Sequence, residues 1–365
     1  MGASTLLIDG DGAAHGPGEL LLHADLHNHT ALSDGDGAAE DAFASMRAAG
    51  LDVAALTDHA YGPVEPAKTI DEDGWRRLGE LADGADEPGA FVAVRGFEWS
   101  STSLGHMNVW GGARWVEPLP QQGLPAVLAL HDWLAAGDEL AGFNHPGRER
   151  GRFGAFRYDA RLAGRMVALE LFNRDEDYLF EGDVSPLVEC LDAGWRVGVV
   201  GVTDEHRTGW GFHTGLGRTG LWAPERSRAG VRAAMLGRRM FATRERGLSV
   251  DATMDGAAMG GTVRYHGGIA TIVVDFAAPP EWAGHTLRLQ ALQSGRPMPA
   301  VVAERDFRVG APVALRTPLA EGDWVVLRIS DPAEPADPRA EALEGFRSAG
   351  RSVAYLSPFF ISRTG

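Results

Sequence analysis

The 365-residue chain holds one cysteine, Cys190, and one lysine, Lys68. A lone cysteine excludes a disulfide scaffold and any thiolate-rich metal site. With arginine supplying nearly every positive charge, a coding bias is visible, and no single arginine is functional evidence by its type alone. No long basic run is present, and 50 acids against 34 bases give a formal net charge of −16. That balance argues against nucleic acid as a partner. No apolar run approaches the ~18 residues that span a bilayer, so no membrane partner is expected. Met1 to Gly18 lacks a basic segment followed by an apolar one, as a secretory signal would have, and the expected location is cytoplasmic.

What is present divides near residues 243–250. Before that seam, short apolar runs alternate with Ala-rich amphipathic stretches. After it, runs such as 269–276, 286–292 and 324–329 are bounded by Gly and Pro. The expectation is an α/β domain over 1–246 and a smaller, all-β, sandwich-like domain over 247–365. The acidic excess is concentrated in the first segment, which carries −14 of the charge.

Six runs in the first segment read as strands: 20–27, 53–59, 91–98, 140–145, 166–172 and 197–204. Their continuous apolar character predicts burial on both faces, as in a parallel sheet covered by helices. Helices are expected at 38–49, closed by Gly50, at 125–136, opened by Pro125, and at 185–193, opened by Ser185-Pro186. Five of the six runs end in a histidine or a carboxylate. Barrel enzymes carry their chemistry at the C-terminal ends of parallel strands. Strand alternation lets His27 and His29, or Asp204 and His206, aim two side chains at one centre. The pattern predicts a metal cluster at one mouth of a barrel-like sheet.

The candidate ligands are His27, His29, Asp34, His59, Glu98, His106, His145, Asp204 and His206. Six imidazoles and three carboxylates without sulfur suit Zn, Mn or Fe. Nine donors exceed the needs of one ion, so two to three divalent ions are expected. Three ions, three carboxylates and a hydroxide leave about +2 in the ligand shell. Such a centre suits an anionic ester, activates water and clamps a developing oxyanion.

Asp25-Leu26-His27-Asn28-His29-Thr30 with Ser33-Asp34-Gly35, then Thr57-Asp58-His59, Asn144-His145-Pro146 and Asp204-Glu205-His206 resemble the four motifs of the PHP (polymerase and histidinol phosphatase) superfamily. Gly96-Phe97-Glu98-Trp99 and Gly105-His106-Met107-Asn108 supply the further Glu and His of such proteins. The latter motif, the segment Gly237–Thr243 and Ser357-Pro358 resemble the carbaryl-hydrolase-like branch. The resemblance implies a distorted (β/α)7 TIM-like barrel with a trinuclear centre. One ion would be held by His27, His29, Glu98 and Asp204. Glu98 would bridge to a second held by His106 and His145, and Asp34, His59 and His206 would hold a third. Many relatives have His where this chain has Asp34. The implied reaction is attack by a metal-bridging hydroxide on phosphorus or a carbonyl carbon.

The leading expectation is a phosphoesterase acting on a small anionic phosphorylated metabolite. The alternative is a carboxylic ester, carbamate or amide hydrolase, and a third reading makes the barrel a metal-bearing scaffold. Arg207, Arg148 and Arg150 follow ligand motifs and are candidates to pair with substrate, with a surface role equally open to each. Asn173 is a candidate substrate contact. His213, in an expected covering loop over 207–219, is a candidate proton donor beside the catalytic pair Asp204 and His206, with a plain loop role open. Asp25 and Asp58 either orient ligand imidazoles or serve the structure. Glu170 is either a support for the ligands or a satisfied core carboxylate. His131 and Cys190 read as packing, Gly10-Asp11-Gly12 lacks the context of a phosphate loop, and a homo-oligomer is left open.

Overall fold

A computed structural model describes residues 18–61, 68–116, 123–149, 151–311, 313–340 and 343–363. Gly10-Asp11-Gly12, the residues read for a signal, and Arg150 lie outside them. Each of the six apolar runs contains a strand: β1 (Leu20–Asp25), β2 (Val53–Leu56), β4 (Val92–Ser101), β6 (Leu140–Phe143), β7 (Met166–Asn173) and β9 (Gly198–Val202). Between them lie the short β3 (His59–Tyr61), β5 (Gly105–Trp110) and β8 (Glu176–Asp177). Strands β2, β7 and β9 are buried along their whole length. One face, with Ala54, Leu56, Ala93 and Leu169, packs on helices through Met46, Leu78 and Leu130. The other face, with Val53, Ala55, Val92, Val167, Val200 and Val202, shares an interior with Val231 and Met235 of the helix Arg228–Gly237. The sheet therefore curls around a common core.

The three expected helices are present at Ala39–Ala48, Leu124–Ala135 and Pro186–Asp192. Two more of ten residues or longer lie in stretches not read as helical. In Glu72–Ala85, Asp71 accepts from the Gly74 N–H, and Trp75, Leu78 and Ala82 make one apolar face. Arg228–Gly237 is capped by Ser227 in the same way.

The α/β character is as expected, and the ladder is more mixed than an alternating barrel. β1, β2 and β4 are parallel, but β5 runs antiparallel to both β4 and β6, before β6, β7 and β9 resume parallel pairing. Glu98 does not end its strand. β4 continues to Ser101 and turns back through β5. β9 does not ladder with β1, because β1 already pairs with β2 on one edge and β10 (Arg218–Ala223) on the other. Among the described residues a single bridge, Asn28 to Glu205, joins the C-terminal ends of β1 and β9. The result is a mixed α/β sheet rather than an alternating (β/α)7 ring. Arg218 and Thr219, expected in a loop, belong to β10.

From β10 the ladder continues through β11 (Met240–Thr243) and into the tail, whose strands are β12 (Ser249–Met254), β13 (Ala257–Ala258), β14 (Thr262–Val263), β15 (Ile269–Ala277), β16 (Thr286–Ser294), β17 (Pro299–Arg308), β18 (Val313–Pro318), β19 (Trp324–Asp331) and β20 (Arg351–Ile361). β11 pairs with β20, and β19, β16 and β17 follow, giving one 16-stranded sheet. β13, β12, β15 and β18 form a second sheet. The alternating burial of β15 turns Ala270, Ile272, Val274 and Phe276 onto Leu287, Leu289, Val325 and Leu327 of the first, which is sandwich packing. No helix of the described residues is long and apolar enough to cross a membrane.

A buried polar chain ties the tail to the site-bearing strands. Tyr355 Oη donates to Asp177 Oδ2 at 2.8 Å and lies 2.8 Å from Ser352 Oγ, to which Arg328 Nε donates at 3.0 Å. Replacing Tyr355 by Phe leaves the buried Asp177 oxygen without its donor. Tyr355→Phe is expected to cost about 1–3 kcal/mol, read as a lower urea midpoint with an unchanged slope.

Candidate metal centre

The strand ends carry the candidate ligands into one buried cluster. β3 lies parallel beside β4 with His59 opposite Glu98, and the β4–β5 hairpin sets His106 opposite Ser100. His145 follows β6, and Asp204 follows β9. Both adopt positive φ, 25° and 49°, which turns each chain sharply as it leaves its strand. Arg174, after β7, does the same at 54°. These left-handed conformations are costly for residues other than glycine and concentrate where function requires them.

His27 Nε2 and His29 Nε2 lie 3.0 Å apart, and Asp204 Oδ1 is 3.4 and 3.3 Å from them. Glu98 Oε1 is 3.2 Å from His27 Nε2, and its Oε2 is 3.5 Å from His29 Nε2. Donors around a tetrahedral ion with bonds of about 2.0–2.1 Å stand roughly 3.3 Å apart. The spacing therefore fits a divalent cation. The tautomer fits as well: Glu170 Oε1, 2.7 Å from His27 Nδ1, holds the proton there and leaves Nε2 as a lone pair facing the centre.

A second group surrounds Asp34 Oδ1, a buried atom with no hydrogen bond. His206 Nε2, His59 Nε2 and His29 Nδ1 stand 3.4, 3.5 and 3.9 Å from it. His206 Nδ1 faces both the Asp204 carbonyl at 2.9 Å and Arg174 Nη2 at 3.0 Å. Glu98 Oε2 is 2.8 Å from His59 Nδ1, while its Oε1 is 3.2 Å from His106 Nδ1 and 3.3 Å from His145 Nε2. All nine candidate ligands thus meet in connected groups, with His29, His59 and His106 each belonging to two of them.

The electrostatics follow from burial. Desolvation opposes ionisation of Glu98 and Asp204, yet the imidazoles around them, His27 foremost, hold both carboxyls well below their usual range. Burial would likewise depress His27, but Glu98, Asp204 and Glu170 raise it well above its ordinary value. His29 is driven well below its own, by burial first and then by His59 and His206.

Supporting residues differ from expectation. Asp58 does not orient an imidazole. It accepts from Thr30 N–H and from the Thr30 and Ser33 hydroxyls, bracing the turn that carries His29 and Asp34. Asp25 accepts from Thr203 N–H and Oγ1, locking β1 to the Asp204 segment. Glu170 is the orienting carboxylate, since its Oε2 also accepts from the His145 and Asn173 amides. Asn144 Nδ2 donates to Glu98 at 2.6 Å. Asn173 is fully buried, with Nδ2 on Glu170 and Oδ1 taken by Arg148, so its polar atoms brace the cluster instead of facing substrate. Arg148 is similarly occupied by Asp204, Asn173, Tyr178 and Glu176.

Arg207 is exposed at the rim, its N–H on Glu205. His213 Nε2 contacts Glu205. The covering loop is fastened rather than free, since Trp210 is buried and donates to the His29 carbonyl at 3.1 Å. Gly37 lies so close to that ring that a Cβ there would collide with it. Two residues of the site were not singled out from sequence. Arg174 Nη2 donates to the Asp204 carbonyl at 2.8 Å and lies 3.0 Å from His206 Nδ1. Glu149 stands beside His106 and His145. Arg174 carried no pattern signal, and Glu149 lay one turn past His145 among charged residues. Arg174, Thr203, Asp204, His206, Arg207 and His213 line a cavity of about 330 Å³.

The sequence matches no family model and no curated protein. Among solved structures it is similar to a two-domain protein of Bacteroides vulgatus described as containing a predicted PHP-like metal-dependent phosphoesterase. Identity is 17%, coverage is 93% of this chain and 96% of that one, and the TM-score is 0.47. It is also similar to a Bifidobacterium adolescentis protein described as a candidate metal-dependent phosphoesterase, at 14% identity and a TM-score of 0.34, over 51% of this chain and 88% of that one.

Glu170→Gln cannot accept from both the His145 and Asn173 amides while keeping His27 oriented. It is expected to weaken divalent-metal affinity about 10- to 100-fold with the circular-dichroism spectrum unchanged, as measured by competition with a chromophoric chelator. Unchanged affinity would remove Glu170 from the metal centre.

Proposed function

We propose that the chain is a metal-dependent hydrolase of the PHP type that acts on a small phosphoester. The observation that supports this most strongly is the cage of His27, His29, Glu98 and Asp204 at coordination spacing, opening beside a cavity with two arginines on its wall. Divalent ions bound there would supply an activated water and neutralise charge building on the substrate oxygens. The rest is done by the chain's own residues. Glu170 holds a proton on His27 Nδ1, so that Nε2 faces the centre. Arg174, 44% exposed, and Arg207 offer planar donors to an anion. His213, set against Glu205 in the same cavity, is the candidate proton donor to the leaving group. Arg174 and Arg207, set among Asp175, Asp204 and Glu205 on the same wall, favour a phosphoester over a neutral carbonyl substrate only together with the bound cations.

The test is a panel of aryl phosphomonoester, aryl phosphodiester, aryl ester and aryl carbamate, assayed with metal-replete protein. Phosphoester turnover is expected, and Asp204→Asn should lower kcat/KM by roughly 100- to 1,000-fold. Turnover of the carbamate alone would favour the carbonyl-hydrolase alternative. No turnover of either phosphoester would overturn the proposal.

A further inference from the structure

His145 is 2% exposed, and its Nδ1 is a buried polar atom without a hydrogen bond. It points away from the Glu98 cage, which the other ring nitrogen faces at 3.3 Å. A buried nitrogen without a partner is costly unless something occupies its lone pair or accepts its proton. The nearest candidate is Glu149, brought back over the imidazole by the tight turn after β6, in which the Gly147 and Arg148 amides both donate to the His145 carbonyl. Glu149 Oε2 lies 3.8 Å from His145 Nδ1, and its Oε1 lies 3.8 Å from His106 Nε2. Both separations are too long for direct hydrogen bonds. Among the described residues the Glu149 carboxylate has no other ion-pair partner.

From this we infer that Glu149, His106 Nε2 and His145 Nδ1 form a divalent-cation position on the outer side of the two imidazoles, whose protons then sit on the nitrogens that face Glu98. The inference rests on the metal-centre reading above and adds to it a carboxylate that no motif assigns. Two imidazoles and one carboxylate make a three-donor set that leaves a coordination position open. Donors 3.8 Å apart sit correctly about one ion, because bonds of about 2.1 Å at a wide angle span that distance. The position is also the more accessible one. His106 and Glu149 are 20% and 14% exposed, against 0–2% for His27, His29, Glu98 and Asp204. An ion there would exchange with solvent more readily than one in the cage.

The experiment is a stepwise titration of chelator-stripped full-length protein with Zn²⁺, followed by calorimetry. In Glu149→Gln one binding step weaker than the cage's should disappear or weaken roughly tenfold or more, while the tighter steps remain. Glu149→Asp, which keeps the charge on a shorter stem, should weaken the same step only. His27→Ala should instead remove a tight step and keep the weak one. Superimposable wild-type and Glu149→Gln isotherms would overturn the inference while leaving the cage intact. Wild-type protein that binds no Zn²⁺ at all would overturn the metal-centre reading itself. A Glu149→Gln variant that loses every step and its native circular dichroism would assign Glu149 to the fold instead, unless Glu149→Asp still showed the selective loss.

Discussion

The centre of this molecule depends on one buried carboxylate. Glu98 is 1% exposed and has imidazole nitrogens of His27, His59, His106 and His145 within 3.3 Å of its oxygens, with the Asn144 amide at 2.6 Å. An anion removed from water is tolerated only where countercharge and donors surround it. That requirement explains the irregular backbone around it. β3 exists as a separate short strand because His59 must lie alongside Glu98, and β5 runs antiparallel because the hairpin returns His106 to the same carboxylate.

The polar groups behind the ligands are engaged with one another. Glu170 orients His27 and clamps the His145 amide, Asn173 joins Glu170 to Arg148, and Arg148 reaches Asp204. Asp25 and Asp58 act on backbone and hydroxyl groups, holding the turns between ligands. Buried networks of this kind hold a unique geometry when every member is satisfied. Arg174 and Arg207 line the cavity while Arg148 is held within the network, so the division between bracing and cavity-lining arginines is set by burial and partners.

The tail shapes the site from a distance. β10, β11 and β20 occupy the edge of β1 that a simple barrel would reserve for its last strand. The ends of β1 and β9 are then held by the Asn28–Glu205 bridge and by side chains such as Thr203 on Asp25, with no continuous ladder. That bridge places His29 and Asp204 within reach of one another. The Tyr355–Asp177 contact anchors the same arrangement from the opposite flank.

Much of the centre was legible in the chain because its signals are local. Apolar runs ending in His or carboxylate place donors at strand ends, and the two-residue periodicity of extended backbone pairs His27 with His29 and Asp204 with His206. Caps at Ser185 and Gly50 mark helices by short-range hydrogen bonding and positive φ. The amphipathic helix over 72–85 was obscured by its acidic first turn, although Trp75, Leu78 and Ala82 carry the helical period. Long-range outcomes had no such signature. That β5 reverses, that β20 rather than β9 continues the sheet beyond β11, that Asn173 is consumed by bracing, and that Glu149 folds back onto His145 all depend on which edges and donors remain free once the other elements have packed. Sequence determined which atoms could bind a cation. Only the tertiary structure decided which of them share one, because that choice is made by distances between strands far apart in the chain.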